Sequence, residues 1–280
     1  MSRKQKVWLI TGVSSGFGRC LVEQIIKAGD IPVGTLRKQA QVDEFNQQYA
    51  GKASFVRMDV NHSAEVETGI KQTLSQYGRI DVLVNNAGYG LFGAIEEVTT
   101  TEARDQMDTN FFGVLALTQA VLPAMRKQRS GHIVQISSVG GFRAFAGLGL
   151  YNASKFALEG MSEALAQEVA PLGIHVTIVE PGPFRTEWAG GSAKVSARKI
   201  ADYENTAHAT AKRIQGYSGQ QPGDPGKAAQ LIIKAVNSAS PPLRLPLGQV
   251  AIDGIRDKIN NVQKEIAAWE AESLDTAFAA

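Results

Sequence analysis

Tyr151 and Lys155 stand four residues apart in the run Tyr151-Asn152-Ala153-Ser154-Lys155. On a helix, positions i and i+4 share a face, so the phenol and the ammonium project to the same side, one turn apart. A free tyrosine titrates near ~10, and a cation within about 4–6 Å shifts a neighbouring ionisation by roughly 1–3 units. The positive end of a helix pushes the same way. The pair is therefore expected to make an acidic phenol that trades protons near neutrality. Taken alone, the same spacing also describes an ordinary surface pair, so the surrounding elements must decide.

Those elements alternate. Val7 to Ile10 is an apolar run of strand length that stops at Thr11-Gly12-Val13-Ser14-Ser15-Gly16-Phe17-Gly18. Cys20, Leu21, Ile25 and Ile26 then recur at helical spacing. Strand, glycine-rich turn and helix together make a pyrophosphate cradle: glycine lets the backbone turn tightly and approach a ligand, and a helix start offers free N–H groups. Further strands are expected at Ile31 to Leu36, Ser54 to Met58, Ile80 to Val84, His132 to Ile136, Ile174 to Val179 and Leu243 to Leu247. Between them fall helices marked by Val66, Ile70, Leu74 and Tyr77, with Ser63 as cap, and by Met107, Phe111, Val114, Leu117 and Leu122 in a single helix from Thr99 to Arg126. Such alternation implies right-handed crossovers and a doubly wound α/β fold with a parallel sheet.

Ligands of such sheets collect at the carboxyl ends of the strands. Asp59, Asn86 with Gly88, Ser138 and Pro181-Gly182 all fall there. Asp59 also suits a turn, and Asn85-Asn86 also suits backbone satisfaction. After the second strand stand Leu36, Arg37 and Lys38, with no carboxylate where a 2′-hydroxyl would want one, so a 2′-phosphate, hence NADP, is favoured over NAD. Tyr89 and Phe92 follow the fourth strand, and Phe145 stands in the loop before Tyr151. Together they suggest an apolar, aromatic-lined pocket.

The combination resembles the short-chain dehydrogenase/reductase family, on Thr11-Gly12-x-x-x-Gly16-x-Gly18, Asn85-Asn86-Ala87-Gly88, Asn110, Ser138, Tyr151-x-x-x-Lys155 and Pro181-Gly182. The later Pro241-Pro242-Leu243-Arg244-Leu245-Pro246-Leu247-Gly248 resembles the branch called 17β-hydroxysteroid dehydrogenase-like. The resemblance implies a single Rossmann-fold domain over residues 1–280, with a seven-stranded sheet and helices on both faces. It also implies a catalytic set of Asn110, Ser138, Tyr151 and Lys155, with Asn110 at a helix kink. Cofactor contacts would come from Gly12, Ser14, Ser15, Gly16, Phe17, Gly18, Arg37, Asp59, Val60, Asn86, Ala87 and Gly88. Tyr151, Lys155, Pro181, Gly182, Phe184 and Thr186 complete them. Tyr89, Phe92, Phe145 and Trp188 would line the substrate pocket, with residues 188–225 as a lid. The implied activity is NADP(H)-dependent interconversion of an apolar ketone or aldehyde with its alcohol. A homodimer or homotetramer through the helices beginning near Thr99 and Leu150 is implied as well. A dinucleotide sensor without turnover would keep the same cradle, but it has no need of all four catalytic groups.

Composition excludes other classes. A net charge of +2 and 20% charged residues announce neither a nucleic-acid surface nor a disordered chain. The single cysteine, Cys20, forbids an internal disulfide, and no apolar run approaches membrane length, so a cytoplasmic protein is expected. His62, His132, His175 and His208 lack ligand spacing, so no metal is expected. Ile255, Ile259, Val262, Ile266 and Trp269 mark a C-terminal helix over 249–272, expected to lay this stripe on its own domain, with a partner subunit as the second reading.

Overall fold

The computed structural model describes residues 4–278. The chain begins with β1 (Val7–Ile10), α1 (Gly16–Lys27), β2 (Ile31–Leu36), α2 (Gln39–Gln48), β3 (Ser54–Arg57), α3 (Ser63–Tyr77) and β4 (Val82–Asn85). It continues with β5 (Leu91–Phe92), α4 (Thr100–Met107), α5 (Gly113–Gln128), β6 (Gly131–Ile136), α6 (Gly149–Val169) and β7 (Ile174–Pro181). Last come β8 (Lys194–Val195), α7 (Ala209–Gly216), α8 (Pro225–Val236), β9 (Arg244–Leu247) and α9 (Gln249–Leu274). Seven strands form one parallel sheet in the order β3-β2-β1-β4-β6-β7-β9. The order reverses between β1 and β4, where a crevice opens at the carboxyl ends.

The two-residue period of a strand explains why both faces are covered. On β1, Trp8 and Ile10 enter one core with Leu21 and Ile25 of α1 and Ile232 of α8, while Val7 and Leu9 enter the other with Leu117, Val121 and Leu165. Full burial of such side chains is worth about 1.5–3 kcal/mol each. Trp8 Nε1 donates to the buried Asp30, which removes the cost of an unpaired indole N–H.

Three expectations are corrected, and one small sheet is added. The stretch from Thr99 is not one continuous α-helix: a π-turn over Asp108–Phe112 separates α4 from α5. A π-turn shifts the phase of the helix after it, so the buried face carries Gln106, Asn110, Val114, Leu117, Val121 and Met125, while Met107, Phe111 and Leu122 are only partly buried. Ser63 is not the cap of α3; His62 holds that position without a side-chain cap bond, and the Glu65 carboxylate accepts from the Asp59 amide instead. β5 and β8 pair in a second, two-stranded sheet that no alternation signalled. The outer stripe of α9 does not lie on the domain: Ala251 and Gly254 are its buried residues, and Trp269 is 66% exposed.

Candidate active site

The crevice is a cleft of about 1060 Å³ that runs from β2 to α7. At one end the backbone of the β1–α1 turn forms its wall. Gly12 and Gly16 have φ of +68° and +55°, a region that side chains rarely adopt. A Cβ on Gly18 would stand 2.5 Å from the Gly12 carbonyl oxygen and 2.7 Å from Asn86 Nδ2. The turn is held from β4: Asn86 Nδ2 donates to the carbonyls of Thr11 and Gly12, and the Thr11 hydroxyl accepts from the amides of Asn86 and Ala87. Helix α1 starts at Gly16 with no side-chain cap and no acid in its first turn. Open N–H groups at a helix start, with no competing carboxylate, fit a phosphate group.

At the middle of the cleft, α6 brings Tyr151 and Lys155 to the end of β6. Lys155 is buried, and its Nζ donates to the Ile136 carbonyl at 2.7 Å. Ser138 caps the short turn Val139–Gly141, accepting from the Gly140 amide, and its hydroxyl faces the Tyr151 phenol closely enough to bear on its proton. Burial pushes that phenol up to about 12, with Ser138 opposing it. Burial likewise pushes the Lys155 ammonium down to about 8, with the Glu159 charge opposing. The acidic phenol expected from the four-residue spacing is therefore not what the chain alone provides. Both groups have left water, and desolvation outweighs their proximity.

Asn110 sits in the π-turn and is fully buried. Its Nδ2 donates to the Tyr89 carbonyl and to Ser154 Oγ, and its Oδ1 accepts from the Tyr89 amide. The turn is thus the local distortion that satisfies an asparagine inside a helix. A Cβ on Gly88 would lie 3.1 Å from Asn110 Oδ1 and 3.7 Å from Lys155 Nζ, so this wall is backbone too.

The other end is built from side chains. The Trp188 ring packs at a tilt 5.0 Å from the Tyr151 ring and 5.6 Å from Phe92, and a Cβ on Gly90 would meet the indole at 2.7 Å. Phe145, Leu148, Ile214 and Tyr217 continue the wall. The segment after Trp188 is pinned at both ends. Gly223 bridges to Phe184, and Arg185 Nε donates to the Gln221 carbonyl. Inside it, the buried Glu97 carboxylate accepts from the Ala94 and Ile200 amides and from His208 Nε2 at 2.6 Å. Burial raises the Glu97 carboxyl, but those bonds outweigh it and hold it down to about 2.

Of the residues singled out in the sequence, Gly12, Ser14, Ser15, Gly16, Phe17, Arg37, Asp59, Val60, Asn86, Ala87 and Gly88 line the cleft. So do Tyr89, Ser138, Phe145, Tyr151, Lys155, Pro181, Gly182, Phe184, Thr186 and Trp188. Three do not. Gly18 is packing behind the turn, Asn110 lies one layer behind Gly88 and Tyr89, and Phe92 is fully buried behind Trp188. The Asp59 carboxylate accepts from the Asn61 amide, as a turn residue does, and it also lines the cleft.

A family model described as short chain dehydrogenase matches residues 6–195. The chain belongs to the short-chain dehydrogenase family. A short-chain dehydrogenase from Streptomyces avermitilis superposes with a TM-score of 0.92 at 44% identity, covering 99% of this chain and 100% of that one. Oxidoreductase BOA17 of Botryotinia fuckeliana is 36% identical over 97% of this chain and 99% of its own length. A 3-ketodihydrosphingosine reductase of Bacteroides thetaiotaomicron is 40% identical over 87% and 88%.

In this short-chain dehydrogenase several functional residues carry little signal in the sequence. Thr11 reads there only as part of the loop, yet its hydroxyl joins β1 to β4; a threonine closing an apolar run before glycine is the available signal. Ile214 and Tyr217 sit three apart on and just after α7, a pair too short to stand out as a stripe. Val250 reaches the cleft from α9, which no pattern announces. Among the described residues no helix is long and apolar enough to cross a membrane, and no group of three or more ligating side chains could hold a metal.

Proposed function

We propose that the chain is an NADP(H)-dependent oxidoreductase that interconverts an apolar ketone or aldehyde and the corresponding alcohol, with Tyr151 giving or taking the proton. The observation that carries this is the juxtaposition of the Tyr151 phenol, Ser138 and Lys155 midway between a backbone-lined phosphate cradle and an aromatic wall. The dinucleotide supplies the hydride when bound.

Every other task falls to the chain. The amides of the β1–α1 turn would hold the diphosphate, and Arg37, exposed at the end of β2 and forming no ion pair among the described residues, would pair with a 2′-phosphate. Lys155 holds the nicotinamide ribose and adds positive charge beside the phenol. Tyr151 donates to the carbonyl oxygen while Ser138 bonds the same oxygen. With burial raising the phenol to about 12, Tyr151 keeps its proton in the resting site and so has one to give. Asn110, satisfied at the π-turn and next to Lys155, holds the shape through which a proton-carrying water reaches that ammonium. Trp188, Phe145, Leu148 and Ile214 exclude water and favour an apolar body next to the reacting carbon. The relative named 3-ketodihydrosphingosine reductase supports a ketone as substrate.

The homo-oligomer implied by the resemblance is proposed on α5 with the π-turn before it and on α6, where the partly uncovered Phe112 of the π-turn and Phe156 of α6 are 52% and 43% exposed. The experiment for the activity follows NADPH absorbance over a panel of apolar ketones with the wild-type chain and Tyr151→Phe. The variant should fold and bind dinucleotide yet lose about 10²–10⁴-fold in turnover. Turnover equal to the wild type would remove Tyr151 from the reaction.

A further inference from the structure

The helix α9 leaves the body of the molecule part-way along its length. Its first turns are rooted: a Cβ on Gly182 would meet the Ala251 amide, and one on Gly254 would meet Val139. Beyond Gly254 no residue of the helix is buried. Ile259, Ile266 and Trp269 are 42%, 59% and 66% exposed. At 1.5 Å per residue, residues 255–274 extend about 30 Å, and helices in proteins draw most of their stability from packing an apolar face. A bare apolar stripe of this kind marks an interface.

The stripe also carries a register. Ile255, Ile259, Val262, Ile266, Trp269 and Ser273 step alternately by four and three, the narrow a/d seam of a coiled coil. Laid against a second copy running the opposite way, with the two-fold axis at Lys264, the seam matches itself. Ile259 meets Trp269 of the other copy, Val262 meets Ile266, and Ile255 meets Ser273. The flanking charges match in the same register. Arg256 falls beside Glu270 of the other copy, and Lys258 beside Glu272. None of these four forms an ion pair within the chain among the described residues. One pair is unfavourable, Glu265 with its own copy near the axis, and Lys264 stands next to it. A parallel arrangement would instead set Glu265 beside Glu270 of the other copy and leave Arg256 and Lys258 without an acidic partner across the seam.

We infer that residues 255–274 form a homodimerisation element, an antiparallel two-stranded coil made with a second copy of this chain. The interface is distinct from α5 and α6 and does not depend on the reading of the cleft. Association of the full-length chain is measured by sedimentation for the wild type, Arg256→Glu/Lys258→Glu, Glu270→Lys/Glu272→Lys and the four changes combined. Each double variant should weaken association about tenfold or more, and the combined variant should recover it. Because α5 and α6 offer another contact, oxidative cross-linking supplies a second readout. Ile259→Cys/Trp269→Cys should join two chains, and Ile259→Cys alone should not, against the wild type with Cys20 as baseline. A paired-cysteine chain that stays unlinked, or a combined charge variant that associates no better than the double variants, overturns the proposal. So does cross-linking by Ile259→Cys alone at the same rate.

Discussion

The two ends of the cleft are made differently. The cradle end is main chain: Gly12, Gly16 and Gly88 present backbone, and the side chains of Thr11 and Asn86 are spent on holding it. The far end is side chain: Trp188, Ile214 and Tyr217 come from a segment tied down largely through Glu97 and the pairing at Gly223. A backbone surface recognises what all dinucleotides share and tolerates almost no substitution. A surface of side chains on a few anchors changes its shape with each residue. One end is therefore suited to a constant partner and the other to a variable one.

The sharpest way to break that contrast is Gly18→Val. Its branches would collide with the Gly12 carbonyl and Asn86, so dinucleotide binding should be lost altogether, as measured by fluorescence titration; retained binding would mean that the cradle is more pliable than its contacts suggest. Arg37→Asp acts at the same end without touching the backbone. The NADP/NAD preference should shift by about 10–100-fold toward NAD, the range expected for loss of a charged hydrogen bond. An unchanged ratio would show that Arg37 does not read the phosphate.

At the far end, Glu97→Ala removes the acceptor for two amides and His208. The KM for the carbonyl substrate should rise about tenfold while the dinucleotide Kd stays within about twofold. Equal losses in both would mean that the two ends are one mechanical unit. The smallest effect concerns the junction. Folding lowers the Lys155 ammonium from its ordinary value of 10.5 to about 8, so the buried charge costs stability below pH 8, and the cost fades as pH rises toward 10.5. Lys155→Met should therefore make the dinucleotide-free protein more stable at pH 7 by about 1–2 kcal/mol, with the gain shrinking by pH 10, as followed by thermal melts.

The same contrast governs what can be read from the amino-acid sequence. Gly12, Gly16 and Gly18 are legible because their backbone angles and the 2.5 Å approach at Gly18 admit nothing larger. The strands are legible because apolar runs buried on both faces leave a continuous trace. Phe92 misleads because β5 is two residues long, too short for alternation to say which neighbour faces the cleft. The segment after Trp188 folds as short 3₁₀ and π turns whose decisive bond, His208 to Glu97, links residues 111 positions apart. No local pattern records that bond. The acidity of Tyr151 misleads for a different reason: spacing reports proximity to Lys155 and says nothing of the burial that overrides it.

The root of α9 has one further consequence. Val250 lines the cleft and Ala251 backs Gly182, yet within two turns the same helix has no buried residue left. The first turn changes only at the expense of the cleft wall, whereas changes in the remainder leave the lining of the cleft untouched. One helix thus has two kinds of surroundings, and the boundary between them lies near Gly254. A chain ended shortly after that glycine would keep every wall of the cleft and give up the bare outer stripe.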